Sequence, residues 1–177
     1  MPLAQKTRVF WPIFIVWLVL DMVTKSLALA HLWPPGVPHE VAGEYVRFTL
    51  AFNRGAAMGV SLGEWSRPAF TIIALVLLGA MAWLFRRTDP ANRLQAAILA
   101  FIAAGAVGNL IDRIRFERGV TDFIDLGVGN VRFWTFNVAD MGITLGAIAL
   151  ALTMKEVEHG SKGVEEGRRG SKKVEIG

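Results

Sequence analysis

The stretch LQAAILAFIAAGAVGNLI, residues 94–111, has 18 residues and no charged side chain. A helix rises 1.5 Å per residue, so about 20 apolar residues cross the roughly 30 Å hydrocarbon core of a bilayer. This length and composition predict a transmembrane helix. The alternative is a buried helix of a soluble bundle. A second uncharged run of 18 residues, at 68–85, argues against that alternative.

Two further apolar stretches extend the pattern on either side. Residues 138–154 contain one charged residue, and residues 9–30 contain two. With the two uncharged runs, these stretches predict four membrane-spanning helices. The fold class we expect is therefore a membrane all-α protein, a bundle of four transmembrane helices.

The overall composition agrees with a membrane protein. Hydrophobic residues make up 53% of the 177 residues and charged residues 19%, and the mean hydropathy is +0.43. A typical soluble domain has about 25% charged residues, so this balance argues against both a disordered chain and an ordinary soluble domain. The chain contains no cysteine, which excludes disulfides, thiolate metal sites and a cysteine nucleophile.

The first apolar stretch has a second interpretation as a cleaved signal peptide. Lys6 and Arg8 precede it, and ALA at 28–30 resembles a cleavage site. Asp21 and Lys25 would then lie between the hydrophobic region and the cut. Charges are poorly tolerated there, so a retained helix is the better interpretation.

The distribution of basic residues predicts the orientation. Residues 1–8, 86–93 and 155–177 hold 11 of the Lys and Arg residues, whereas the longer segments 31–67 and 112–137 hold 7. Basic residues concentrate in the cytoplasmic segments of membrane proteins. We therefore expect both termini in the cytoplasm and the two long loops outside.

The domain organisation follows from these assignments. Residues 1–154 form one membrane domain with four spans. Residues 155–177 are rich in Gly, Lys and Glu and contain a near-repeat, which predicts a disordered cytoplasmic tail.

The outer loops contain signals for β-structure. Residues 46–53 alternate with a period of two, and residues 53–55 are typical of a turn. Gly129-Asn130 separates residues 126–128 from residues 131–136, which indicates a second short hairpin. A small β element is therefore expected on the outer membrane face.

Small residues mark one face of the third predicted helix at intervals of four: Ala96, Ala100, Ala104 and Gly108. Such a face allows close packing of a neighbouring helix. The stripe leads into Asn109, Asp112 and Arg113 at the outer end. The fourth helix begins with Asn137 and Asp140 on one face. Packing the two helices together would join these polar groups.

Four aspartates lie towards the predicted outer ends of the spans: Asp21, Asp112, Asp122 and Asp140. Ionisable residues at membrane depth are costly and usually functional. Structural interpretations remain open for three of them. Asp21 can pair with Lys25 at i+4, and Asp112 can pair with Arg113 or Arg115, or cap the helix end. Asp122 can be an ordinary loop carboxylate, whereas Asp140 has no basic residue within four positions.

Other chemistries are not indicated. The three histidines lack a metal-ligand pattern, no serine has a nucleophile motif, and neither a phosphate loop nor a nucleic-acid signature is present. We therefore expect no metal, no cofactor and no nucleic acid. Two neighbouring carboxylates that share one proton can hydrolyse a peptide without a metal. Spacing leaves open which two aspartates form the pair.

Five short motifs resemble those of the bacterial lipoprotein signal peptidases, the signal peptidase II family. They are DMVTK at 21–25, NRGAA at 53–57, GNLIDR at 108–113, VTDF at 120–123 and FNVAD at 136–140. Their order and spacing match the family over most of the chain outside the tail. Met22 and Met58 depart from it, since Gln and an aromatic residue are common at these positions.

The resemblance implies a fold and an activity. The fold is a four-helix membrane bundle with a small extracytoplasmic β-cradle. The activity is that of an intramembrane aspartyl endopeptidase of the bacterial cytoplasmic (inner) membrane, with its active site at the outer face. It would cleave the signal peptide from diacylglyceryl-modified prolipoproteins just before the lipidated Cys. Globomycin-type cyclic peptides inhibit the family, membrane lipid surrounds it, and we expect a monomer.

The resemblance also implies residue roles. Asp122 and Asp140 would be the catalytic dyad, and metal ligands would be absent. The supporting or substrate-binding residues would be Asp21, Lys25, Asn53, Gly55, Asn109, Asp112, Arg113 and Asn137. Of these, Asn53 and Asn137 would hold the substrate backbone or the dyad, and Asp21 would act from the first helix.

Two other functional classes place acids in membrane helices. A proton-coupled transporter would ordinarily show inverted repeats and acids near mid-depth. The present acids cluster outward, and the two halves show no such symmetry. A non-enzymatic adaptor would give no reason for acids and asparagines to converge at one depth.

Overall fold

The computed structural model describes residues 5–55 and 63–153. Four α-helices are present in this part of the chain: α1 (Gln5–His31), α2 (Ser66–Arg87), α3 (Arg93–Arg115) and α4 (Val138–Thr153). A 3-10 turn, Gly63–Trp65, precedes α2. The predicted tail at 155–177, Met58 and residues 56–57 of the NRGAA motif lie outside the described residues.

Each predicted span coincides with one helix. The first three helices are long and apolar enough to cross a membrane, and the fourth is a shorter apolar helix. The chain is therefore a multi-pass membrane protein. Helix α3 lies at the centre, because most of its apolar window is buried inside the protein while α1 and α2 expose most of theirs.

Cap interactions fix the α2–α3 connection. The side chain of Asn92 accepts a hydrogen bond from Gln95 N at 2.9 Å and so begins α3. The ammonium of Lys6 donates to the carbonyls of Phe85 and Thr88 at 2.9 and 2.6 Å, at the end of α2. A cation at a helix C-terminus satisfies carbonyls that have no partner within the helix. The N-terminal turn of α1 is thereby tied to α2.

The small residues of α3 do allow close packing. Ala96, Ala100 and Ala104 are completely buried. A Cβ atom at Gly105 would collide with the carbonyl oxygen of Ala139, and one at Gly108 would collide with the carboxylate of Asp21. The small-residue face of α3 therefore packs against both the start of α4 and the part of α1 that carries Asp21.

The four strands form one antiparallel sheet in the order β1 (Pro38–Ala42), β2 (Val46–Asn53), β3 (Val120–Val128) and β4 (Val131–Arg132). The predicted strand at 46–53 is confirmed, and the hairpin at Gly129-Asn130 is present. The expected hairpin strands were wrong in extent, because β3 begins six residues earlier and β4 ends after two residues.

Asp122 lies on the long strand β3, opposite Ala51 of β2. It is therefore not the loop carboxylate that one interpretation of the sequence predicted. A buried apolar cluster of Ala28, Leu50, Phe123 and Val138 joins α1, the sheet and α4. The sheet is thus packed against the helix ends, and Asp122 faces the first turn of α4.

Candidate active site

Asp122 and Asp140 come from different elements and line the same cavity. Asp122 is 2% exposed on β3, and Asp140 is half-buried in the first turn of α4. The cavity has a volume of about 1090 Å³ and lies between α2, α3, α4 and the sheet. The structure therefore brings together the two aspartates that the resemblance selects, although they belong to a strand and a helix.

Asn137 bridges the two carboxylates. Its amide nitrogen donates to Oδ1 of Asp122 at 2.7 Å, and its amide oxygen accepts from the backbone N–H of Asp140 at 2.9 Å. Oδ2 of Asp140 reaches back to the backbone N–H of Asn137 at 3.3 Å. This reciprocal pair has the geometry of a capping box. The start of α4 is therefore held by the same side chains that line the cavity.

Asn109 of α3 connects this pair to the rest of the bundle. Its amide nitrogen donates to Oδ1 of Asp140 at 2.7 Å. Its amide oxygen accepts from Asn137 Nδ2 at 3.1 Å and from Lys25 Nζ at 2.9 Å. The predicted meeting of the polar ends of α3 and α4 is confirmed.

Lys25 lies buried beneath the two asparagines. Its ammonium is 2.8 Å from Asp21 Oδ2 and 3.3 Å from Asp112 Oδ2. The expected i,i+4 pair with Asp21 is present. For Asp112, pairing with Arg113 or Arg115 was one of the open interpretations. Its carboxylate instead faces inward to α1 and pairs with Lys25.

The two aspartates around Lys25 also hold backbone groups. Oδ1 of Asp21 accepts from the N–H of Ala139 at 2.8 Å, in the first turn of α4. Oδ2 of Asp112 accepts from the N–H of Thr121 at 3.0 Å, next to Asp122. Each carboxylate therefore positions the element that carries one member of the pair.

Asn53 and Gly55, at and just after the end of β2, also line the cavity. The Asn53 side chain hydrogen-bonds to Asp122, and its oxygen accepts from Gly55 N at 3.0 Å, which forms the predicted turn. A Cβ atom at Gly55 would clash with Ser66 and Phe70 of α2. Close approach of the turn to α2 therefore requires glycine.

Arg113 supplies positive charge at the same cavity. Its Nη1 donates to the carbonyl of Asn109 at 3.3 Å, and its guanidinium carbon is 5.9 Å from the ring centre of Phe70. The charge acts on both Asp122 and Asp140. Arg113 thus offsets part of the negative charge of the two carboxylates.

The environment of Asp122 changes its acidity. Burial raises the pKa of Asp122 to about 7, and the negative charge of Asp140 acts in the same direction. Hydrogen bonds from Asn137 and Asn53 and the charge of Lys25 oppose this rise. A carboxyl group with this pKa can both hold and release a proton near neutral pH.

The cavity has an apolar and a polar half. Phe70, Ile73, Leu77 and Leu145 line one side between α2 and α4, and Asn53, Arg54, Asp125 and Arg132 line the side next to the sheet. Such a division suits a ligand that is apolar at one end and polar at the other.

Asp125 and Arg132 were not among the site residues predicted from the sequence. The Arg132 guanidinium binds Oδ1 of Asp125 through Nε at 2.9 Å and Nη2 at 2.8 Å, and Thr49 donates to Oδ2 at 3.0 Å. The hairpin register offered a signal. With Gly127 opposite Arg132, Asp125 lies diagonal to this arginine.

The donor set around the cavity does not resemble a metal site. Across residues 5–55 and 63–153, no three His, Asp or Glu side chains are grouped so that they could hold a metal ion. Both oxygens of Asp140 accept hydrogen bonds from N–H groups of asparagines.

Comparison with known proteins identifies the family. The family model for signal peptidase (SPase) II matches residues 13–155. The chain belongs to the signal peptidase II family. The lipoprotein signal peptidase of Hydrogenovibrio crunogenus is 38% identical over 138 residues, which cover 77% of this chain and 78% of that protein. The lipoprotein signal peptidase of Geobacter metallireducens is 39% identical over 152 residues, with 83% and 90% covered.

A solved structure shares the fold of this signal peptidase II. It is a bacterial membrane enzyme determined by the in meso method at 2.3 Å resolution. It superposes with a TM-score of 0.72 at 31% sequence identity and covers 81% of this chain and 85% of that one. The family assignment from sequence motifs is thereby confirmed.

Proposed function

We propose that Asp122 and Asp140 are the catalytic pair of this aspartyl peptidase, which removes signal peptides during lipoprotein maturation. The observation that carries the proposal is the bridge through Asn137. The side-chain amide of Asn137 donates to the Asp122 carboxylate, and the backbone N–H of Asn137 donates to the Asp140 carboxylate. Both aspartates line one cavity. No other two carboxylates among residues 5–55 and 63–153 have this arrangement together with a lining of apolar side chains.

The mechanism uses one proton shared by the pair. Near neutral pH, one carboxylate is ionised and takes a proton from a water molecule as the oxygen attacks the scissile carbonyl. The protonated partner donates to the carbonyl oxygen. The tetrahedral intermediate then collapses, the C–N bond breaks, and a proton passes to the leaving amine. Two adjacent carboxyl groups favour such sharing, because both cannot ionise readily.

The cavity supports a lipidated peptide as substrate. The apolar side between Ile73, Leu77 and Leu145 would hold acyl chains of a diacylglyceryl group or apolar residues of the signal peptide. The polar side near Arg54 and Arg132 would hold the start of the mature sequence. The scissile bond just before the lipidated Cys then lies beside Asp122 and Asp140.

The membrane arrangement is part of the proposal. We place all four helices across the bacterial inner membrane, with residues 1–154 as the membrane domain and residues 155–177 as a cytoplasmic tail. Lys6, Arg86 and Arg87 cluster at one end of the bundle, and the two aspartates lie towards the other. Basic residues favour the cytoplasmic side, so the sheet becomes an outer β-cradle and both termini are cytoplasmic.

Two further expectations follow from the same assignment. A globomycin-type cyclic peptide would inhibit by placing a hydroxyl between the carboxylates, where the attacking water would otherwise lie. The second expectation is that the enzyme acts as a monomer.

The test is cleavage of a lipidated prolipoprotein by purified enzyme in detergent. Asp122→Asn and Asp140→Asn should each remove turnover while the protein remains folded, and the double variant should be hardly worse than either. Asp89→Asn is the matched control, because this exposed residue lies in the α2–α3 connection and its side chain accepts from Ala91 N at 2.7 Å. Full activity of Asp122→Asn would contradict the proposal.

A further inference from the structure

The buried ammonium of Lys25 has three neighbours, and all three are acceptors. They are Asp21 Oδ2 at 2.8 Å, Asn109 Oδ1 at 2.9 Å and Asp112 Oδ2 at 3.3 Å. A lysine ammonium has three N–H donors and no acceptor. Acceptor oxygens therefore surround the ammonium, which hydrogen-bonds to Asn109 and forms ion pairs with Asp21 and Asp112.

This donor-only group determines the direction of the Asn109 amide. The atom of Asn109 that faces Lys25 must be the oxygen, since two donors would repel each other. The amide nitrogen is then directed to Asp140, to which it donates at 2.7 Å. Asp140 and Asn137 favour the same direction of the amide, and the Lys25 ammonium adds a third contact that enforces it.

The same logic extends to the second asparagine. Because the Asn109 oxygen is an acceptor, the Asn137 group that approaches it must be the nitrogen, at 3.1 Å. That nitrogen also donates to Asp122 at 2.7 Å, and the oxygen of Asn137 accepts from Asp140 N. Both amides therefore present N–H groups to the carboxylates.

We infer that Lys25 is a positioning residue that orients the amides of Asn109 and Asn137 and thereby delivers an N–H donor to each member of the Asp122–Asp140 pair. The inference rests on the proposed function, and it adds a role for a residue that does not touch the reacting atoms. Hydrogen bonds to a carboxylate favour its charged form. Lys25 therefore helps to set the pH range in which the pair holds one proton.

Other charges also face the pair and must be separated from this effect. Arg113 and Asp112 approach from α3, and Asp21 and Lys25 approach from α1. The sheet side contributes Asn53, which is uncharged and bonds to Asp122, together with Arg54, Asp125 and Arg132 on the same cavity wall. A simple loss of positive charge at position 25 would also move the pH profile, so the test must distinguish charge from amide orientation.

A double-mutant cycle makes this distinction. Lys25→Met should move the acid limb of the kcat/KM profile upward by about one pH unit, because the carboxylates then keep a proton to higher pH. Asn109→Leu should move it similarly. If Lys25 acts through Asn109, the double variant should match Asn109→Leu alone. Additive shifts would show that charge alone acts and would overturn the inference.

Two variants control for stability. Lys25→Arg keeps a charged, donor-only group and should restore the wild-type midpoint of the acid limb. Lys6→Met removes the other described lysine, which caps carbonyls of α2, and should lower thermal stability without moving the profile. An unmoved profile in folded Lys25→Met would also overturn the inference.

Removal of Lys25 leaves two buried carboxylates without their cation and can prevent folding. Lys25→Met combined with Asp21→Asn reduces that imbalance and should show the same shift. A measurement on the unaltered protein gives an independent test. With ¹⁵N-labelled asparagine, the side-chain amides of Asn109 and Asn137, two of five asparagines, should shift together as the pair titrates. An Asn109 signal that does not respond would contradict the inference.

The outcomes separate this inference from the proposed function. If the wild-type enzyme does not cleave the lipidated substrate, or if Asp122→Asn does, the catalytic assignment is wrong. If both behave as expected while Lys25→Met keeps the wild-type pH profile, only the role of Lys25 is wrong.

Discussion

Asp21 and Ala139 are 118 positions apart, yet a carboxylate oxygen of Asp21 accepts a hydrogen bond from the backbone N–H of Ala139 at 2.8 Å. Asp21 thus satisfies one of the N–H groups that the first turn of α4 leaves unpaired. A negative charge is also favourable at a helix N-terminus. The first helix thereby fixes the position from which Asp140 enters the cavity.

Asp21→Ala should therefore destabilise the protein more than Asp21→Asn. The alanine removes the acceptor for Ala139 and leaves Lys25 with one carboxylate fewer, at a cost of about 3–5 kcal/mol. The asparagine keeps an acceptor and should lose less. Thermal unfolding in detergent measures the difference, with the exposed Asp89→Ala as control. Equal losses for the two Asp21 variants would argue against the role at α4.

Asp122→Asn should change the pH dependence of stability. The carboxyl has a pKa of about 7 in the folded protein, against an ordinary value of 3.8. Between these pH values the folded chain holds a proton that the unfolded chain has lost, so wild-type stability falls as the pH rises. Asn stays neutral. The Tm of the variant minus that of wild type should increase from pH 4.5 to pH 8, and a constant difference would contradict the raised pKa.

Gly108→Ala should be destabilising, because the added methyl group collides with the Asp21 carboxylate. Overpacking of this kind costs about 1–3 kcal/mol, and it should also lower activity by moving Asp21 away from α4. Gly79→Ala is the matched control, since no heavy atom lies within 4 Å of its added methyl group on α2. That control should be neutral or slightly stabilising. Thermal unfolding and cleavage assays compare the two.

Arg132→Met should loosen the β3–β4 hairpin and raise the KM for a lipidated substrate. The guanidinium makes charge-assisted bonds to Asp125 and to the carbonyl of Glu44, which contribute about 1–3 kcal/mol. The hairpin continues into residues 133–136, which line the cavity. Arg47→Met should have little effect, because the partner of Arg47, Glu40, is exposed. Equal KM values for the two variants would contradict the role of the hairpin.

The helices could be predicted because their signal is local. An apolar run of membrane length is visible within one window, and the strand at 46–53 shows its alternation in eight residues. The residues of the candidate site were predicted from the sequence motifs. Residue spacing predicted two of its contacts: the pair of Asp21 and Lys25, one helical turn apart, and the meeting of the polar ends of α3 and α4.

The rest of the site depends on contacts between distant segments. Asp112 pairs with Lys25 rather than with its neighbours in the chain, because α1 packs against the inward side of α3. The strand position of Asp122 depends on pairing with β2, across 71 residues from Ala51. Such pairings follow from the tertiary arrangement, and no single window of the sequence contains them.

The contacts at the start of α4 restrict which residue types can occupy position 137. Serine, threonine, aspartate and asparagine all begin helices well. At position 137 the side chain must accept from Asp140 N and also donate to Asp122 and Asn109. Aspartate offers no donor when ionised, and a hydroxyl offers one hydrogen at too short a reach. Of these four residues, only asparagine can both cap the helix and donate to Asp122 and Asn109. Replacement of Asn137 by serine, threonine or aspartate, which is tolerated at other helix ends, would therefore abolish activity.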